Sequence, residues 1–187
     1  MSHGIDTPGA LAIDPDTPAL LQPLARALQR VNQAMVVLGM FALLVASVVL
    51  TYSVVSRYVL KASTDWQDEA AVFCLVGATF LCAAYVQAMR GHVGIEAVAG
   101  LLPRAVDRVR LLLVDLLSAA FCAFFAWKSW ALFQEAWVEG QVTSSSWAPP
   151  LWIPYGLMAA GMSLLTLQIL MQLTARANAL TKRRVAR

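Results

Sequence analysis

The sequence predicts an all-α integral membrane protein with four transmembrane helices and an interfacial segment between the second and the third. Three observations carry that prediction. Hydrophobic residues make up 59% of the 187-residue chain and charged residues only 13%, against about a quarter charged in a soluble domain. Four separate runs reach the length of about 20 apolar residues needed to cross hydrocarbon. The Lys and Arg residues sit between those runs, on alternating sides.

The chain divides into a polar lead over 1–30, a four-helix membrane unit over 31–175 and a basic tail over 176–187. The lead holds Pro8, Pro15, Pro18 and Pro23 with Asp6, Asp14 and Asp16, a composition expected to be flexible and cytoplasmic. No small-residue cleavage site follows the first apolar run, so that run is expected to stay as a membrane helix rather than leave as a signal peptide.

The first span runs from Met35 to Val55 and the second from Ala70 to Met89. The third begins near Leu111 and is expected to leave the lipid around Trp127 to Phe133, which places Lys128 near the outer interface with room to snorkel. The fourth runs from Leu151 to Leu173. Each must be helical, because a backbone in lipid has no water to bond.

Eleven of the fourteen basic residues fall on one side: Arg26 and Arg30, the Arg90–Arg110 link, and the tail. Arg57, Lys61 and Lys128 fall on the other. The positive-inside rule then puts both termini in the cytoplasm. The opposite links hold Asp65, Asp68, Glu69, Glu135 and Glu139, and all six tryptophans lie toward that outer side. Tryptophan anchors helices at interfaces and also concentrates binding energy. Both readings stay open for Trp66, Trp137 and Trp147. Trp127, Trp130 and Trp137 share a helical stripe.

Thr64 with Gln67 matches a capping box at the start of the second helix. Asp65, Asp68 and Glu69 suit the positive end of its dipole, which accounts for Asp68 without further role. Glu69 is expected to pair with Arg57 across the first two helices. In the inner link, Val93, Ile95, Val98, Leu101 and Leu102 are too few to span and suit a segment lying in the interface. Asp107 and Arg110 are three apart and suited to pair. His92 and Glu96 are expected to hold this link against a partner or lipid headgroups, since one His and one Glu are too few for a closed metal site. Asp115 lies one turn inside the third span, within reach of the Arg-rich interface.

Several functions have no residues to carry them. Cys74, Cys82 and Cys122 lie inside spans with no Cys-x-x-Cys pair and read as packing residues. Paired intramembrane histidines for haem are absent, as are a Walker loop and a nucleophile elbow. The basic residues form no patch with interleaved aromatics, so nucleic acid is not expected as a partner.

The order Arg57-Tyr58-Val59, Trp66-Gln67-Asp68-Glu69, His92-Val93-Gly94-Ile95-Glu96 and Leu102-Pro103, with Trp152-Ile153-Pro154-Tyr155 and Gly161, resembles the DctQ-like small membrane subunit of TRAP (tripartite ATP-independent periplasmic) transporters. Cys82 stands where that family often has Gly, and Ala160 where it often has Pro. The resemblance implies a non-catalytic subunit in a bacterial inner membrane. It implies a DctM-like large subunit that carries substrate and sodium, and a DctP-like periplasmic protein that delivers a small organic acid. No cofactor is expected in this chain itself, and membrane lipids are its remaining partner. The competing class is a membrane-anchoring subunit of a redox or enzyme complex.

Topology gives the first prediction. Reporter fusions after Lys61 and after Arg187 should read periplasmic and cytoplasmic respectively. The reverse pattern would refute the placement of the termini.

Overall fold

The computed structural model describes residues 17–61, 65–89 and 104–185. Among them are four helices long and apolar enough to cross a membrane: α1 (Gln22–Val55), α2 (Asp65–Ala88), α3 (Arg104–Glu139) and α4 (Trp152–Val185). The stretch 90–103 read as an interfacial segment lies outside the described residues, as do His92, Glu96 and Thr64.

Each helix outruns the apolar stretch that predicts it. α1 starts at Gln22, inside the segment read as a polar lead, with Pro23 in its first turn where a missing N–H costs nothing. It ends in one wide π turn, Ser56–Leu60, closed by Lys61 in the left-handed conformation at φ 52°. α3 continues as unbroken helix through Trp127–Phe133 to Glu139. There Gly140 takes φ 62°, and the Gln141 N–H closes back on the Ala136 carbonyl at 3.1 Å. That is a Schellman closure with the glycine where it is needed. A short loop follows, tied across itself by Thr143 N–H to Pro149 O and Leu151 N–H to Gln141 O. α4 carries on to Val185, through most of the basic tail.

The helices stand in a row rather than a closed ring. α2 lies between α1 and α4, and α4 lies between α2 and α3, so α1 and α3 form the edges. α1 and α4 meet only slightly. A buried apolar cluster joins Ala119, Cys122 and Ala126 of α3 to Met162 and Ile169 of α4, with Phe80 of α2 and Phe125 packed against it.

Small residues set the crossings, since lipid gives apolar helices little reason to associate except close packing. A Cβ on Gly161 of α4 would collide with the backbone carbonyl of Phe80 in α2. A Cβ on Gly39 of α1 would collide with the Cys82 sulfur of α2. The extra bulk of Cys82 is therefore matched by an absent side chain opposite, and its thiol faces the Met35 carbonyl at 3.9 Å. Ala71, Ala78 and Ala84 on α2, all buried, complete the small-residue seams.

These two glycines differ in what blocks them. Gly39→Ala should destabilise the protein by about 1–3 kcal/mol through overpacking, and Cys82→Ala should restore much of the loss. Gly161→Ala meets backbone, so no single side-chain reduction on α2 should restore it. Thermal unfolding of the three variants in mild detergent checks this; rescue of Gly39→Ala failing would show that the sulfur is not the obstacle.

Candidate functional site

The charged and amide side chains that bond between helices collect in two layers. At the basic end, α4 presents Gln168, Gln172 and Arg176 one turn apart, and each bonds a different helix. Asn32 of α1 donates to Gln168 Oε1 at 3.0 Å. Gln87 of α2 donates to Gln172 Oε1 at 2.8 Å, and Gln172 returns a bond to the Gln87 backbone carbonyl at 3.0 Å. Arg176 pairs with Asp115 of α3. Asp115 thus has a defined partner on α4, where the sequence pointed only to the Arg-rich interface. Asn32 is fully buried, and its Oδ1 has no hydrogen-bond partner among the described residues.

At the tryptophan end the tie between α1 and α2 forms, but through a different acid. Arg57 reaches Asp68 Oδ2 at 3.4 Å, and Ser53 donates to Asp68 Oδ1 at 3.4 Å. The expected pairing of Arg57 with Glu69 is corrected: Glu69 Oε2 is buried with no hydrogen-bond partner among the described residues. The reason is helical register. Asp68 shares a stripe with Ala71, Ala78 and Cys82, the side of α2 that meets α1, whereas Glu69 is turned about 100° away.

The tryptophans of this end pack in pairs. Trp66 at the start of α2 meets Trp147 of the loop edge-on, 6.4 Å between ring centres. Trp137 at the end of α3 meets Trp152 at the start of α4, 4.9 Å apart and also edge-on. Such contacts are worth about 0.5–1.5 kcal/mol beyond burial. Trp66, Trp137 and Trp147 nevertheless stay half exposed. Trp130 is held differently, donating its indole N–H to Ser163 Oγ at 3.0 Å. Glu135 and Glu139 are exposed beside them, both accepting from the Gln141 amide.

The two layers fix the depth of everything between them. From Trp152 to Arg176 is 24 residues of α4, or about 36 Å at the usual helical rise. From Asp115 to Trp137 on α3 is 22 residues, or about 33 Å. Both are close to the roughly 30 Å of hydrocarbon in a bilayer. Lys128 is 13 residues from Asp115 and nine from Trp137, about 20 Å and 14 Å along the axis. With the two layers taken as the limits of the hydrocarbon, it falls between them, nearer the tryptophan end.

The Lys128 side chain leans back along α3. Its ammonium lies over the Trp127 ring at 4.7 Å and the Phe124 ring at 6.0 Å from their centres. Phe124 is one turn back toward the basic end, the direction in which helical side chains lean. Two cation–π contacts of this kind supply roughly 0.5–2 kcal/mol. A lysine at the centre of a bilayer costs about 2.5–3.5 kcal/mol by insertion scales. The rings soften the cost without cancelling it, and no carboxylate among the described residues pairs with Lys128.

Among the described residues no three His, Cys, Asp or Glu side chains gather where they could hold a metal ion. The arrangement holds helices together at both ends and presents surfaces. It defines a multi-pass membrane protein built from a single row of helices. Residues 46–178 match the family of tripartite ATP-independent periplasmic transporters, DctQ component. The chain belongs to that family, and so is a small component of a TRAP transporter. A search of curated proteins finds no match.

The two ion pairs should differ in strength. Asp115 and Arg176 keep only 14% and 26% of their side-chain surface, against 58% and 57% for Asp68 and Arg57. A double-mutant cycle on Asp115 and Arg176 should give a coupling of about 1–3 kcal/mol, and one on Arg57 and Asp68 at most about 1 kcal/mol. Charge reversal of Glu69 should leave the Arg57 coupling unchanged. Unfolding in detergent reads all three, and coupling of Arg57 to Glu69 would overturn the register argument.

Proposed function

We propose that this chain is the non-catalytic small subunit of a TRAP importer in a bacterial inner membrane, with both termini in the cytoplasm. It scaffolds the large transport subunit and helps a periplasmic substrate-binding protein dock for sodium-coupled uptake of a small organic acid. The observation that carries this reading is the open row: its two broad faces and two edges are apolar and unsheltered, as suits a wall laid against another membrane protein. α1 exposes Val37, Phe41, Leu44 and Val48; α3 exposes Leu113, Leu117, Phe121 and Phe124. The family match supports a partner of this class.

At the tryptophan end, half-exposed indoles stand beside two exposed carboxylates. Charges at a rim tune encounter rate and salt dependence, while aromatics carry contact energy. A protein that must dock and leave in each cycle suits a modest, partly polar surface of this kind. Because Trp147 packs on Trp66 and Trp137 on Trp152, each pair presents one composite surface rather than a single side chain.

The test is binding-protein-dependent uptake in proteoliposomes, normalised to reconstituted complex. Omitting this chain should abolish uptake. Trp137→Ala or Trp147→Ala should slow it several-fold without removing the subunit, and Glu135→Lys with Glu139→Lys should change its dependence on ionic strength. Full uptake by the large subunit and binding protein alone would refute the scaffold reading. Wild-type rates from every surface variant across a range of salt would refute the docking role.

A further inference from the structure

Lys128 is a cation on an edge of the row with two aromatic rings beside it, and with the two polar layers as limits of the hydrocarbon it falls well inside them. Phe121, Phe124 and Lys128 lie three and four residues apart, so they form one exposed stripe of α3, with Leu117 continuing it and Trp127 flanking it. A stripe of pure hydrocarbon at a lipid-facing edge needs no explanation. A stripe with an ammonium in its centre does, because ionisable groups at that depth face protein or water rather than acyl chains.

Resting on the proposed role as scaffold of a large membrane subunit, we propose that this stripe of α3 is covered in the assembled transporter. The cover is a transmembrane helix of the large subunit that sets a carboxylate opposite the Lys128 ammonium. Three occupants compete for the stripe, and charge and depth separate them. A lipid phosphate on the nearer side lies beyond the Trp137 level, about 14 Å away along the axis, while the ammonium leans the other way, over Phe124. A second copy of this chain brings a second Lys128 to the same depth. The described acids stand toward the ends of the row: Asp115 is committed to Arg176, Asp68 to Arg57, and Glu69, Glu135 and Glu139 belong to the tryptophan end. A different membrane protein has no such restriction, and a carboxylate at matching depth supplies what the rings leave wanting.

Such a pair forms in low dielectric with few competing waters, so it fixes depth and rotation of α3 against its neighbour as well as adding attraction. An aromatic pair beside the cation would exclude lipid from the contact. The Trp127 ring centre lies 4.7 Å from the ammonium and so belongs to the same stripe.

The experiment co-expresses the chain with the large subunit of its transporter, purifies through a tag on this chain, and measures the ratio of the two. Lys128→Met and Lys128→Glu should each reduce co-purified large subunit about tenfold or more, with Lys128→Arg close to wild type. Thermal unfolding of the isolated chain should be unchanged or raised in Lys128→Met, separating loss of partner from loss of fold. A photo-crosslinker at Phe124 should join the large subunit, and the mapped peptide should contain an Asp or Glu whose reversal to Lys restores binding of Lys128→Glu. Crosslinks only to lipid, or to a second copy of this chain, would overturn the proposal, as would Lys128→Met co-purifying at wild-type level. If the wild-type chain brings down no large subunit at all, the scaffold reading itself fails, which is a separate result.

Discussion

The structure depends on one ladder. Gln168, Gln172 and Arg176 lie along one side of α4, and through them α4 bonds α1, α2 and α3 in turn. In a membrane the apolar surfaces of helices are as content with lipid as with each other, so polar bonds and close crossings decide which helices meet. The ladder supplies the first and Gly161 against Phe80 the second. Together they place α4 in the interior of the row although it is last in sequence. The same ladder sets the vertical register, because an interhelical amide pair tolerates little sliding. The depth of Lys128 follows from that register and not from its local neighbours.

What the sequence made legible was dictated by the bilayer: four apolar lengths, their helical state, and the segregation of basic residues from tryptophans. These are collective properties, and no single residue has to be interpreted correctly to obtain them. The pairings were harder. Arg57 chooses Asp68 because Asp68 follows the line of Ala71, Ala78 and Cys82, and a stripe of small residues in the sequence marks that face. Reading the acids by distance from lipid, rather than by rotation about the helix, pointed to Glu69 instead. The ladder on α4 was visible as Gln168, Gln172 and Arg176 at intervals of four, but nothing local names Asn32, Gln87 and Asp115 as its partners.

Lys128 shows a different kind of difficulty. Trp127 and Lys128 are residue types that mark a membrane boundary, and by counting from Leu111 they fall where one is expected. The boundary of α3 is set instead by Gly140, Trp137 and the loop that folds back to Trp152. Residue types that serve as interface markers lose that meaning when the helix is long enough to carry them past or short of it. Only contact with a neighbouring helix decides which, and here Trp130 bonding Ser163, 11 residues along α4 from Trp152, is such a contact.

The position of α4 between α2 and α3 also bears on how the chain is made. α1 and α2 are consecutive and can close on each other as soon as both have entered the bilayer. α3 enters next and finds its main neighbour missing. Its Asp115 has no Arg176 to pair with until α4 is made. α4, which follows both in sequence, then has to take its place between α2 and α3. Biogenesis of this row is therefore an act of intercalation, with its most exposed moment falling in the interval between the third helix and the fourth.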